Sequence, residues 1–517
     1  MTTPAARLAQ ETRSVRTRFA PSPTGQLHLG GLRTALFTWL WARHNQGTFI
    51  LRIEDTDSKR FDPASVESIT AALKWLELDW DEGPEVGGDH GPYVQSERGA
   101  IYRSHAEHLI GAGHAYRCFC SPARLADLRR RQQNAGRPSG YDGHCRRLPK
   151  RQAQAMADRG HEHTIRLAVP DSGSVQVDDL IRGRISVDAA TLHDPVLLKS
   201  DGMAVYHLAV VVDDHLMGIT DVLRGQEWLP TAPYHWLLYQ ALGWDVPAFV
   251  HLPVILNPNG AGKMSKRHPP LVDGAVMPVH VDEFRDAGYL PEAMFNFLAL
   301  LGWTADASEE VFARDELVRR FDVRSISAAP ATMPYDKLAW MNGLYLRKMD
   351  RESVLAMLQP YLAKAFGRTP SQLSAMPGLS IVVGELVDRI RTLSEAPAWL
   401  EWLFADPAGL DYPHPDMLLA RKQDRATSVA LLKGAADTVA TMPVFDAASL
   451  ETAIRDAAAR TDTKPGLYFG CMRAALSGAR ASLPLFPIAE ALGQDNVVTR
   501  LRHAAQVLAA ADHSTGA

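Results

Sequence analysis

The stretch RFAPSPTGQLHLGG, Arg18 to Gly31, joins a strand end to a helix start through a turn rich in proline and glycine, and its reading decides the fold. Just upstream, Val15, Thr17 and Phe19 alternate with Arg16 and Arg18, the period of a half-buried strand. Downstream, Leu32, Leu36 and Leu40 recur at every fourth position, so the spacing predicts a helix beginning near Gly30. Such a helix turns backbone N–H groups and the positive end of its dipole toward an anion. Gly30 and Gly31 have no Cβ and let a nucleotide come close to the backbone. His28, one step before the helix, is placed to donate to a phosphoryl oxygen without acting as a nucleophile.

Working outward, Asn45-Gln46-Gly47 is a stop signal, and the apolar run Thr48 to Ile53 predicts a buried parallel strand, which makes strand, helix and strand a βαβ unit. Glu54 and Asp55 then stand at the carboxyl end of that strand, where open α/β sheets collect their ligands. Val66, Ile69, Leu73 and Leu76 predict a helix over 65–78. Much further on, Gly262 to Arg267 reads GKMSKR and puts Lys263 and Lys266 on a small loop able to reach a triphosphate. Either motif alone is as well explained by a solvated loop. Together they resemble the HIGH and KMSKS signatures of class I aminoacyl-tRNA synthetases, with HLGG standing where HIGH gives its name. LRIEDTD (Leu51–Asp57), DEGP (Asp81–Pro84), GPYVQSER (Gly91–Arg98) and DDHLMGITDVLRGQEWL (Asp213–Leu229) narrow the resemblance to the bacterial glutamyl-tRNA synthetase family, over nearly the whole chain.

The resemblance implies an α/β fold: a Rossmann-type catalytic domain with an inserted acceptor-binding domain, followed by an all-α anticodon-binding region. In this numbering the catalytic domain occupies 15–99 and 205–244, the insertion 100–204, and a stem-contact region with the lysine loop 245–341. Helical anticodon domains follow at 342–400 and 401–517, and residues 1–14 are a polar extension outside the resemblance. The run Val205 to Val212 is mostly apolar and is expected to be the buried strand with which the sheet resumes. In the last third, Leu450, Ile454 and Ala458, then Val498, Leu501, Ala505 and Leu508, are in register for packed helices.

Joining an amino-acid carboxylate to ATP requires neutralised phosphates and two reactants held in line, with no protein nucleophile. The resemblance implies that His28, Gly30, Gly31, Glu227, Lys263 and Lys266 bind ATP, with His28, Lys263 and Lys266 catalytic and Mg²⁺ accompanying the nucleotide. It places Arg18, Ala20, Ser22, Glu54, Tyr206 and Arg224 around L-glutamate, with Glu54 facing the α-ammonium. A γ-carboxylate suits a planar two-pronged partner, so Arg18 and Arg224 are its candidates. Without the flanking motifs, Tyr206 reads as a core aromatic and Arg224 as a salt bridge at a sheet end. Val210 stands where some relatives carry Asn.

At 517 residues, with 46% hydrophobic and 22% charged residues, the chain is long enough for several domains of ordinary composition. No apolar run approaches the roughly eighteen residues of a membrane span, and the N-terminus has no signal-peptide core, so the expected location is the cytoplasm. A net charge of −4 gives no global attraction for a polyanion. Arg124, Arg129, Arg130, Arg131, Arg137, Arg146, Arg147, Lys150 and Arg151 form a local basic cluster, read equally as a solvated surface or as a tRNA-backbone contact. Four cysteines are too few for a disulfide framework. Cys118-x-Cys120 with Tyr141-x-x-x-Cys145 resembles the zinc knuckle of some family members, but Arg147 occupies the position of the usual fourth ligand, and the expectation is against bound zinc.

The implied activity is ATP-dependent ligation of L-glutamate to tRNA(Glu) through a glutamyl-adenylate, by a monomer without membrane contact. Competing readings are a truncated paralogue that modifies a tRNA base, a glutaminyl-tRNA synthetase, a catalytically silent tRNA-binding protein and a small-molecule nucleotidyltransferase. The helical last third argues against the first two, and intact His28, Lys263, Lys266 and Arg224 against the third. Length and the tRNA-family insertion argue against the fourth. In relatives that discriminate tRNA(Glu) from tRNA(Gln), an arginine lies just before a Thr-Leu in the first helical domain. The matching segment Asp388 to Leu393 puts Arg389 in that position.

Overall fold

Arg16–Phe19 (β1) pairs in parallel with Thr48–Leu51 (β2), Arg16 beside Thr48 and Phe19 beside Leu51. Between them runs the helix Leu29–His44 (α1), whose Leu32, Leu36 and Leu40 are fully buried. The helix stops at Asn45, Gln46 takes a left-handed φ of 53°, and Gly47 follows. Any Cβ at Gly47 would lie 2.1 Å from the carbonyl oxygen of Val15, so only glycine fits beneath the strand entry. The computed structural model describes residues 14–57, 60–265, 268–305 and 308–511. The polar extension lies outside these residues but for Ser14.

The helix expected over 65–78 spans Pro63–Trp75 (α2), started by the Asp62 carboxylate accepting from Ala64 N–H and by proline in the first turn. Beyond it, Ile50 bridges in parallel to Glu82 and Ile53 to Val94, which extends the sheet past β2. Gly99–Ala112 (α3) leads into Ala115–Cys118 (β3), Pro122–Asn134 (α4), Lys150–Asp158 (α5) and Thr164–Leu167 (β4). Ser174–Asp179 (β5) and Gly183–Asp188 (β6) form an antiparallel hairpin, and Val196–Leu198 (β7) completes a three-stranded sheet in the order β3-β4-β7. No residue of α4 is buried. Much of the basic cluster is occupied locally: Arg124 pairs with Asp142, Arg130 and Arg131 with Asp127, and Arg146 with Asp171 and Asp194.

The run expected as a strand over Val205 to Val212 is instead a helix, Tyr206–Leu216 (α6). Leu208 through Asp214 are all buried, so the segment is enclosed on every side and carries no period to separate helix from strand. The sheet resumes later, at Asp221–Gly225 (β8), followed by Ala232–Leu242 (α7) and Ala248–Leu252 (β9). β8 pairs in parallel with β9, and β9 meets β5 where Asp179 faces Phe249. Thr220 N–H donates to Arg16 C=O at 2.9 Å, which brings the start of β8 against β1. The parallel core therefore runs β2, β1, β8, β9, with the β5–β6 hairpin of the inserted stretch on its edge.

The chain divides into two compact units. One runs to Phe284 and takes up Met294–Tyr335; the other combines Arg285–Ala293 with everything from Asp336 on. The second is built from helices, among them Arg351–Phe366, Arg425–Ala440, Ala447–Arg460, Pro465–Ser477 and Gln494–Ala510. Leu450, Ile454, Ala458, Leu501, Ala505 and Leu508 enter its core as the spacing predicted. Arg500 enters it too, fully buried, with its guanidinium donating to the carbonyls of Leu476, Trp402 and Ala405. Among the described residues no helix is long and apolar enough to cross a membrane.

Helix α6 carries two adjacent carboxylates into the first unit's core. Asp214 accepts from Arg18 Nε at 2.9 Å and Arg52 Nη1 at 2.8 Å, and all three side chains are buried. Breaking a buried pair from one side strands the other charge. Asp214→Asn is expected to destabilise this unit by about 3–5 kcal/mol, read as a lowered urea midpoint.

Candidate active site

The carboxyl ends of β1 and β8 open into a cavity of about 730 Å³. Arg18, Ala20, Ser22, His28, Gly30, Gly31, Glu54, Tyr206, Arg224, Glu227 and Lys263 all line it. Lys266 lies outside the described residues, and Arg389 belongs to the second unit, in an exposed turn just after the helix Pro377–Leu386. The walls also include Arg33, Thr34, Trp228, Pro253 to Ile255, Met264 and Ser265, none of which the sequence reading singled out. Trp228 could have been found as the aromatic beside Glu227; its ring lies 4.3 Å from that of Tyr206.

At the mouth of α1 the structure departs from the expectation of free N–H groups. Leu29 N–H donates to Val279 C=O, Gly30 N–H to His28 Nδ1 at 2.9 Å, and Gly31 N–H to His28 C=O. His28 is thus the helix cap, and because its Nδ1 accepts, its proton resides on Nε2. A Cβ at Gly30 would stand 3.3 Å from His28 Nδ1, and one at Gly31 2.8 Å from Leu27 Cδ1. The glycines leave room for the capping imidazole and for Leu27.

The two arginines are held differently. Arg18 grips Asp214 with Nε and Nη2 and donates Nη1 to Leu223 C=O. Among the described residues Arg224 meets no carboxylate: Nε donates to His251 Nε2 at 3.0 Å and Nη1 to Tyr206 Oη at 3.2 Å and His235 Nδ1 at 3.0 Å. Burial, joined by the charge of Arg224, pushes His207 down to about 4 and holds His235 well below the usual imidazole range. Burial raises the Glu54 carboxyl pKa, and the nearby Arg52 and Arg18 work against that. Glu54 also accepts from Arg52 Nη2 at 3.0 Å.

Glu227 folds back over Gly225, where a Cβ would fall 2.3 Å from its Oε2, and takes an ion pair from Lys263 at 3.2 Å. Away from the cavity, the thiols of Cys118, Cys120 and Cys145 converge within 4.8 Å of one another. The Tyr141 hydroxyl lies 3.3 Å from Cys118 Sγ and 3.5 Å from Cys120 Sγ. Of the two side chains the sequence offered as a fourth donor, Tyr141 and His144, it is Tyr141 that meets the three sulfurs. Arg147 does not join them; its guanidinium donates to Asp142 C=O.

A parallel nucleotide sheet, a histidine-capped helix at its carboxyl end and a lysine loop across the cavity define a class I aminoacyl-tRNA synthetase. Residues 14–340 match the family described as tRNA synthetases class I (E and Q), catalytic domain, and 353–505 match an anticodon binding domain. The chain is 44% identical over 506 residues to a glutamate–tRNA ligase of Roseiflexus castenholzii, covering 96% of this chain and 97% of the relative. It is 42% identical over 494 residues to that of Moorella thermoacetica, covering 95% and 98%. A crystal structure of a glutamate tRNA ligase from Elizabethkingia meningosepticum, in complex with its amino acid, superposes with a TM-score of 0.85 at 33% identity, covering 96% of this chain and all of that one. The chain belongs to the glutamate–tRNA ligase family.

Because the folded state keeps His207 neutral down to about pH 4 while an unfolded chain binds its proton near 6.5, stability falls as pH drops through that window. Thermal midpoints recorded across it are expected to decline, and His207→Gln to flatten the decline.

Proposed function

We propose that the chain activates L-glutamate with ATP and passes it to the 3'-terminal adenosine of tRNA(Glu). The observation that carries the reading is Arg224, 5% exposed, on the cavity wall, with Nη2 lacking any partner among the described residues. A buried cation without a counter-charge is costly, and a substrate carboxylate at Nη2 removes that cost. Tyr206 supports the guanidinium from one side, and Arg18, already tied to Asp214, supplies a second planar donor. Glu54 receives the α-ammonium, which favours the ionised carboxylate that burial opposes.

In the first step an α-carboxylate oxygen of glutamate bonds to the α-phosphorus as the bond to the bridging oxygen breaks and pyrophosphate leaves. In the second, a ribose hydroxyl oxygen of the terminal adenosine attacks the acyl carbon, its proton passes to a phosphate oxygen, and AMP leaves with the bonding electrons. His28, protonated at Nε2, donates to a phosphate oxygen, and Lys263 with Lys266 balances charge on the departing pyrophosphate. Glu227 contacts the adenosine. Mg²⁺ accompanying ATP would neutralise phosphate charge that the lysines leave unpaired. The thiol cluster takes no part in these steps and serves the inserted domain structurally.

Arg224→Lys tests the reading, since an ammonium cannot form paired coplanar bonds to a carboxylate. In tRNA(Glu) charging assays the glutamate KM is expected to rise at least about tenfold, one buried charged hydrogen bond's worth, with the ATP KM unchanged. A shift confined to the ATP KM would remove Arg224 from the amino-acid pocket.

For tRNA choice, the third anticodon base is C in tRNA(Glu) and G in tRNA(Gln). Cytosine offers O2 and N3 as acceptors to an arginine, whereas guanine turns N–H donors toward it. With Arg389 as the reader, the unmodified protein is expected to leave a tRNA(Gln) transcript uncharged and Arg389→Gln to gain glutamylation of it. Efficient glutamylation of tRNA(Gln) by the unmodified protein would overturn this assignment.

A further inference from the structure

The surroundings of Arg224 are as specific as the arginine itself. Arg224 stands directly beside His251 in the β8–β9 pairing, and its guanidinium lies over the Phe249 ring at 5.4 Å. Three of its five N–H groups are spent on His251, Tyr206 and His235, and the two on Nη2 remain. Arginine only donates, so both histidine nitrogens facing it must be lone pairs, and this fixes both tautomers.

His251 therefore carries its proton on Nδ1, which donates to Asp179 Oδ2 at 2.6 Å. Asp179 is anchored in turn by the N–H groups of Ile181, Arg182 and His251. His235 carries its proton on Nε2 and donates to His207 Nδ1 at 3.3 Å. The cation is thus aimed by two short relays that come from β5 through β9 and from α6 through α7. Neither relay puts a carboxylate in contact with it.

We propose that His251 and His235 are positioning residues that hold Arg224 by neutral acceptors alone, reserving both its charge and its Nη2 donors for the substrate side chain, and that this arrangement favours a carboxylate over an amide of equal shape. The inference rests on the reading of Arg224 given above. Arg18 supplies the contrast: Asp214 already neutralises it, so it gains little from one substrate over the other. An unneutralised guanidinium gains a full charge pair from glutamate. Glutamine gives it only a dipole, and an amide NH₂ turned toward Nη2 would set donor against donor.

Paired substitutions separate aiming from simple packing. The glutamine amide oxygen reaches the place of a histidine Nε2, whereas the asparagine amide reaches that of Nδ1. His251→Gln keeps the acceptor for Arg224, and His251→Asn loses it while keeping a donor for Asp179. At His235 the assignments reverse, Asn keeping the acceptor and Gln losing it. In tRNA(Glu) charging assays His251→Asn and His235→Gln are expected to raise the glutamate KM about tenfold, with His251→Gln and His235→Asn near the parent value and the ATP KM unmoved throughout. His235→Asp puts a carboxylate on Arg224 and is expected to lower the preference for glutamate over glutamine in kcat/KM, again by about tenfold.

Equal effects within each pair, an ATP KM that moves in step, or an unchanged preference in His235→Asp would overturn the proposal. Should the His251 variants fail to fold, the His235 set decides alone. A raised glutamate KM in Arg224→Lys with flat histidine pairs overturns this inference only, whereas an unmoved glutamate KM in Arg224→Lys removes the reading beneath it.

Discussion

Two neighbouring carboxylates on one helix, Asp213 and Asp214, hold together three arginines that the chain supplies from far apart. Asp214 takes Arg18 and Arg52, and Asp213 takes Arg98 at 2.7 Å together with Gln95 and the Tyr102 hydroxyl. An unpaired guanidinium at such depth costs several kcal/mol, so strand end, sheet edge and helix must all arrive before any of them is stable. At Arg52 burial by itself would weaken the charge, yet Asp214, Glu54 and Asp213 outweigh it and hold the group firmly protonated. The depressed pKa of Asp214 follows from the same geometry: burial pushes it up, and the two guanidinium groups more than reverse the push. That stabilisation is present above the ordinary carboxylate range and is lost as pH falls through the depressed value.

This ionic core also determines what the cavity presents. Arg18 reaches the wall with its charge already answered, and Glu54 reaches it sharing Arg52 with Asp214. Arg224, on β8, shares no hydrogen bond with Asp213 or Asp214. On the proposed reading this asymmetry suits a substrate with one ammonium and two carboxylates, since the site carries one buried anion, one neutralised cation and one cation still lacking a counter-charge.

The β1–α1–β2 unit was legible because its periods are clean: alternation in the strand, every fourth leucine in the helix, and a stop at Asn45 to Gly47. Helix α6 was misread because its residues are buried on all sides, and burial erases the period that separates helix from strand. The motif residues that line the cavity were legible, but several other wall residues and the supports of both were not. His251 reaches Arg224 only through the pairing of β8 with β9, and Asp179 reaches His251 from the hairpin of the inserted stretch. Such contacts depend on register across the sheet, and no local spacing in the chain encodes them. Tyr141 differs from these, since its spacing from Cys145 marked it in the sequence; the structure adds that its ring lies under Arg166 at 4.0 Å.

On the proposed reading, the helix mouth and the lysine loop divide the handling of phosphate between them. With the N–H groups of Leu29, Gly30 and Gly31 already engaged, α1 offers an anion its dipole and the imidazole of its cap. The remaining compensation must come from side chains that can change partner. Lys263 meets that requirement: its pair with Glu227 is half-exposed on both sides, and such pairs are worth about 0–1 kcal/mol. A phosphate of higher charge can displace Glu227 from the lysine at little cost, whereas no ligand could displace Asp214 from Arg18 without stranding a buried charge. Groups that must release their partner during turnover are therefore at the surface, on a loop, and groups that must never move are paired in the core.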